Sequence, residues 1–311
     1  MSEALAAPPT APPTAAPTAM VPLGVGAAVL AISSAAPVIR LAAPLGPEVI
    51  ACLRVSVSAT VLALVTHRAT ARTLRLLAGS RPEALWTIVA GLCLAAHFGA
   101  WIASLSMTSV VRSVALVSTT PLFAGLFARA IGDRAPLRLY VGSAVAIAGT
   151  LVMVEPGAPS SDQAWLGDLL ALSGAVTAAL YLAIGRKVHA QLGDALPVEG
   201  YFVCVNLVAA SALWMFALTR GAALVPAGVA QADYLAVLWL GLVPGIIGHG
   251  LLNWAVRRVP VHVVSLAALL EPAGAGLLAW VLLSEVPATR ELAGALLLIA
   301  GVALGLPRRA S

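Results

Sequence analysis

The chain has 311 residues, of which 60% are hydrophobic and 10% charged, with a formal net charge of +5 and a mean hydropathy of +0.98. This balance excludes a soluble globular domain, because too little polar surface exists to cover the apolar remainder. The basic excess would suit nucleic acid, but its placement along the chain speaks against that role.

Residues 1–20, MSEALAAPPTAPPTAAPTAM, are rich in Ala, Pro and Thr and lack a basic n-region. They read as a disordered cytoplasmic tail rather than a signal peptide, with Met20 a candidate start. A spanning helix needs about 20 apolar residues. Ten stretches approach this: 21–39, 47–66, 84–106, 110–130, 137–154, 166–184, 199–219, 234–256, 261–283 and 290–306. Segments such as LAVLWLGLVPGIIG and GALLLIAGVALGL are apolar all round, without the alternation of an outer-membrane barrel. The expected fold class is therefore an all-α integral membrane protein of ten transmembrane helices.

Polar residues inside these spans are costly and point to pathways or binding sites. Arg54, early in the second span, carries a permanent charge that must snorkel, find a carboxylate or face water; Glu48 is its nearest acidic neighbour, though not squarely on the same face. His97 and Trp101 lie one turn apart in the third span and suggest a polar wall, with packing the competing role for Trp101. In the fourth, Ser118, Thr119 and Thr120 precede Pro121, where hydroxyls can satisfy carbonyls freed by the proline and the kink can act as a hinge. Asn206 reads as interhelical glue. His249 and Asn253 share a face of the eighth span, with Trp254 at its inner end; an interhelical hydrogen bond is the competing role for His249, which glycines flank.

Glu271 stands directly before Pro272, a second candidate hinge, and is the one acidic residue near the middle of a predicted span. An ionised carboxylate there is unfavourable by roughly 2.5–3.5 kcal/mol, which makes proton exchange a candidate role; a neutral link between helices is the alternative. The three cysteines, Cys52, Cys93 and Cys204, fall in apolar spans and read as small buried side chains rather than a disulfide framework or metal site.

Of the 18 Lys and Arg, 13 fall in the even-numbered loops and the carboxyl tail, among them Arg68, Arg72, Lys187 and Arg257. Only Arg40, Arg112, Arg220 and Arg290 fall on the other side. This positive-inside bias places both termini in the cytoplasm. The second half also echoes the first: Pro121 pairs with Pro272, Asp133 with Glu285, Gly142 with Gly294 and Gly149 with Gly301, with His97 and His249 in comparable places upstream. Units of five helices must lie in opposite orientations. Inverted repeats of this kind suit alternating access, with substrate held near the midplane between the halves.

The motifs ISSAAPVIRLA with PEVIACLR, TSVVRSVALVSTTPLF with GDR, GDLLALSGAVTAALYLAIGRK, GHGLLNWAVRRVP and LEPAGAGLLAWVLLSEVP occur in this order. Together they resemble bacterial members of the drug/metabolite transporter superfamily, EamA type, over roughly residues 21–306. The resemblance implies a first repeat at 21–154, a second at 166–306, cytoplasmic termini, and secondary transport of metabolites or drugs, commonly efflux. Asp133 stands where that family often has Glu, and Asp133 and Glu285 read as interface or capping residues.

The expected function is secondary active transport at the inner membrane, with the lipid bilayer and a small-molecule substrate as partners and protons as a candidate coupling ion. The substrate-binding or coupling residues would come from Glu271, His249, Asn253, His97, Trp101, Thr119 and Arg54. Absence of mid-membrane Lys disfavours polyanionic cargo and leaves small neutral, zwitterionic or amphipathic solutes such as amino acids. A facilitative uniporter or exchanger, and an intramembrane enzyme using His97, His249 and Glu271 as an acid/base set, remain alternatives. No HExxH, phosphate-loop or GxSxG motif is present, so no metal or other cofactor, ATP-driven step or hydrolase chemistry is expected.

Overall fold

The computed structural model describes residues 20–108, 110–128, 136–153, 163–223, 225–283 and 288–306, and these are helices joined by short turns, without a strand. Asp133 and Glu285 lie outside the described residues. Among the described residues six stretches are, by length and composition, able to cross a membrane: Met20–Leu41, Pro47–Val65, Arg81–Met107, Ala164–Ala195, Val198–Thr219 and Gln231–Val256. Shorter apolar stretches at Ser113–Phe127, Leu137–Met153 and Val261–Ala275 complement them. Large apolar side chains cover the outside, Leu23 being 72% and Leu296 70% exposed. Such a surface is stable only against lipid, so the chain is a multi-pass membrane protein.

Prolines decide where helices break, because each lacks an N–H and crowds the carbonyl four residues back. Pro37 disrupts the turn at Ser33, and the first stretch divides into α1 (Met20–Ser33) and α2 (Ala35–Leu41). The second is α3 (Pro47–Val65), entered through Gly46 at φ 79°. It is followed by α4 (His67–Ala78), where the sequence suggested only a basic loop. Thr70, Thr73 and Leu77 of α4 are buried while Arg72 and Arg75 face outward. Its buried side packs on the start of the seventh stretch. The third stretch is α5 (Arg81–Met107) and the fourth is α6 (Val110–Val117) with α7 (Thr120–Ala128). At this break Thr120 Oγ1 donates to the Val117 carbonyl at 2.6 Å, the group that Pro121 leaves without its helical partner. Thr119 Oγ1 likewise donates to Leu116 at 2.7 Å.

The remaining helices are α8 (Leu137–Met153), α9 (Ala164–Leu192), α10 (Val198–Thr219), α11 (Gln231–Leu240), α12 (Gly250–Val256), α13 (Val261–Ala268), α14 (Glu271–Leu283) and α15 (Thr289–Gly305). Between α11 and α12 the chain forms a π-helical segment, Gly241–His249, which contains Pro244. Widened turns of this kind recur at functional sites. Ser58 Oγ of α3 donates to the Gly241 carbonyl in it at 2.7 Å.

Glycines set the interhelical registers, since a missing Cβ lets backbones approach. In the α8–α15 contact, a Cβ on Gly142 would meet the Gly301 carbonyl and Gly305, and one on Gly149 would meet the Gly294 carbonyl and Leu298. Other close pairs are α3 with α10, α7 with α13, α5 with α9, and α1 with both the π-segment and α14. A large apolar core joins the first four and the sixth to ninth stretches, and a smaller one, with Leu139, Leu266 and Leu298, binds α8, α13 and α15.

Candidate functional site

A central cavity of about 90 Å³ lies where α1, α2, α3, α5, α6, α7, α9, the π-segment, α12, α13 and α14 converge. At about 10–15 Å³ for each water centre, that room suits several waters or one small solute. Its polar lining comprises Arg54, His97, Trp101, Ser118, Thr120, Tyr181, His249, Ser265 and Glu271, and the rest is mostly aliphatic. Pro121 and Pro244 also line it, so two helix breaks face the same space.

Each wall follows from the local sequence. His97 and Trp101, one turn apart on α5, stack with ring centroids 6.1 Å apart and planes 5° apart. His97 Nδ1 lies 2.9 Å from the Gly174 carbonyl of α9. A carbonyl only accepts, so Nδ1 carries the proton and Nε2 is the acceptor of the neutral ring. His249 approaches from the opposite half, 6.4 Å from the His97 ring centroid and edge-on to Phe98 at 5.1 Å. Arg54 is 1% exposed and lies over the Phe98 ring at 4.2 Å. Neither of its terminal nitrogens, Nη1 and Nη2, has a hydrogen-bond partner, nor does Trp101 Nε1, among the described residues. Glu271 begins α14, and the hydroxyl of Ser33 ties its carbonyl to α1 at 3.2 Å.

The structure thus brings Arg54, His97, Trp101, His249, Glu271 and Pro121 to one space, and leaves Asn253, Thr119 and Pro272 off its lining. Asn253 is buried one layer behind, where its Nδ2 donates to the Tyr181 hydroxyl and to the His249 carbonyl. Thr119 turns back onto its own helix. Glu48 makes no ion pair with Arg54, which looks inward instead. Asn206 donates to the Phe202 carbonyl of its own helix at 2.8 Å. Trp254 lies outside the cavity, in a groove beside Arg257 and Arg258, with the Arg258 guanidinium 4.2 Å above its ring. There Arg257 pairs with Asp194 at 2.8 Å.

Sequence reasoning overlooked Tyr181. The signal available was a lone phenol in an apolar helix, which requires a hydroxyl partner when buried. Tyr181→Phe is expected to lower stability by about 1 kcal/mol, because Asn253 loses an interhelical acceptor. Thermal unfolding in detergent measures this, and an unchanged midpoint would show the pair to be without weight.

Comparison with known proteins adds family context to this geometry. The EamA-like transporter family matches residues 165–306. A Streptantibioticus cattleyicolor protein named "Probable terminal-alkyne amino-acid exporter" is 32% identical over 192 residues, 61% of this chain and 61% of that protein. The "Uncharacterized inner membrane transporter YedA" of Escherichia coli (strain K12) is 28% identical over 163 residues, 52% of this chain and 51% of that protein. The chain thus spans little more than half the length of these curated relatives. A solved crystal structure shares the fold, with a TM-score of 0.72 at 20% identity, covering 92% of this chain and 96% of that one. The family and these two relatives are named for transport and not for catalysis. The similarity to the EamA-like transporter family thus covers residues 165–306, the second half of the chain.

Proposed function

We propose that this protein is a secondary active transporter of the inner membrane that exports small metabolites by alternating access. In this reading ten helices form two inverted repeats, 21–154 and 166–306, with both termini cytoplasmic. The observation that carries it is the central cavity, to which both halves contribute charged and ring side chains: Arg54, His97 and Trp101 from the first, His249 and Glu271 from the second. A site shared by two repeats is what rocking one against the other alternately exposes.

The contacts between helices support the repeat. If each stretch in the first half is exchanged for the one five places on, the pairs α3–α10, α7–α13 and α8–α15 map onto themselves, and α1 with the π-segment maps onto α9 with α5. The glycine contacts behave the same way, Gly142 on Gly301 becoming Gly294 on Gly149. Such isologous contacts are what a two-fold axis produces. Export and amino-acid-like cargo draw support from the printed name of the Streptantibioticus relative, and the inner membrane from that of the Escherichia coli one. Glu271 is the candidate proton carrier.

Two measurements test this reading. In liposomes holding the purified protein and an unlabelled metabolite, counterflow should concentrate the same labelled compound for at least one member of a panel that includes amino acids, and a pH gradient should change the net rate. No counterflow by folded protein for any member would overturn transport, and counterflow indifferent to pH would leave a uniporter or exchanger. For topology, single cysteines at Ser161 and Ser311, with Cys52, Cys93 and Cys204 replaced, should label from opposite sides of the membrane. Labelling from the same side would exclude the inverted arrangement.

A further inference from the structure

Arg54 is the most anomalous side chain of the protein. Its guanidinium is buried within a membrane-spanning stretch, where it interacts by charge with Glu271 but forms no ion pair among the described residues, and two of its terminal nitrogens lack any acceptor. A permanent charge in that state is strongly disfavoured unless something else satisfies it. The Phe98 ring beneath it, at 4.2 Å, fixes the guanidinium by cation–π attraction but occupies none of its N–H donors. Trp101, on the same cavity wall system, presents a second buried donor without a partner at Nε1.

We infer that Arg54 reads a carboxylate on the solute, with Nη1, Nη2 and the Trp101 indole N–H donating to that carboxylate within the central cavity. The inference rests on the transport reading only in treating the bound solute as cargo. The planar fork of arginine matches the two oxygens of a carboxylate, which a lone ammonium does not. Among the described residues Arg54 is the single Lys or Arg on the cavity lining, which suits one carboxylate and not a phosphate or a di-acid. Glu271 lines the same cavity and offers an acceptor to an amine or other N–H group on the same solute. Aliphatic side chains such as Ile32, Val117, Leu182 and Leu252 complete the wall and suit an apolar remainder. The recognised class is therefore a mono-acid with a separate N–H donor.

The test uses the purified full chain in detergent and reads ligand-induced thermal stabilisation, so transport is not required. The probes are alanine, leucine and phenylalanine, each with its carboxamide and its decarboxylated amine. At least one acid should raise the melting temperature of the wild type, while its amide and amine should not. Arg54→Met should abolish that shift, and Arg54→Lys, which keeps the charge without the fork, should weaken apparent affinity at least about tenfold. Unliganded Arg54→Met should melt at or above the wild type, because a buried guanidinium whose terminal nitrogens lack acceptors has been removed. Should it fail to purify as a folded species, Arg54→Lys carries the comparison. Equal stabilisation by acid and amide, a shift retained in Arg54→Met, or no shift with any of the three acids would overturn the inference. Binding without counterflow would leave it standing and remove the transport reading, whereas counterflow indifferent to the carboxylate would do the reverse.

Discussion

Glu271→Gln is expected to remove the pH dependence of net transport while leaving the protein folded. Glutamine keeps the shape of the neutral acid and its capacity to donate and accept, but it cannot release a proton. Exchange of labelled for unlabelled solute should persist, since that half of the cycle does not require the carboxyl to ionise. Glu271→Ala should lose stability as well as transport, by removing the polar group where Glu271 lines the cavity. Initial rates across a series of external pH values, for net flux and for exchange, separate these cases. A Glu271→Gln protein with normal rate and unchanged pH dependence would make Glu271 structural and move any proton coupling to His97 or His249, which face each other across the same space.

A comparably large effect is expected from Gly149→Leu, this time on stability. The added side chain would meet the Gly294 carbonyl and the Leu298 backbone, and backbone does not give way as a flexible side-chain tip does. Overpacking of this kind should cost about 3 kcal/mol, at the upper end of such substitutions. Gly26→Ala supplies the contrast: a Cβ there meets nothing within 4 Å, and the gain in helix propensity should leave stability equal or up by about 0.5–1 kcal/mol. Thermal unfolding in detergent compares the two. If both variants melt together, the α8–α15 contact does not hold the halves in register.

Much of the helical framework was legible because its causes are local. The stretch expected at 199–219 is Val198–Thr219, and that at 137–154 is Leu137–Met153. Hydrophobic length in a bilayer leaves the backbone little choice but to satisfy itself as a helix. The break around Pro121 was readable for the same reason, and Thr120 accordingly takes the carbonyl of Val117. The π-helical segment was not readable, although Pro244 and the glycines of GLVPGIIGH lay in view, because a proline can equally kink or end a helix. The helix α4 was overlooked because a basic stretch between two spans reads as a loop until its partner is known. Gly200 of α10 lies so close to Thr73 and Ala69 that α4 has a surface to pack against.

The membrane as solvent, the helical class, the breaks at prolines and the polar residues worth attention were determined by the sequence itself, since hydropathy and the missing proline N–H act within a few residues of their source. Which polar residues meet was decided only by the tertiary structure. Asn253 shares a helical face with His249, yet it lies behind Tyr181, a residue 72 positions away. Arg54 has an acid six positions before it, yet it turns toward the cavity that Glu271 lines. These outcomes depend on how far each helix is rotated and slid against its neighbours. That register is set by glycine contacts such as Gly142 on Gly301, between residues far apart in the chain, and no local pattern encodes it.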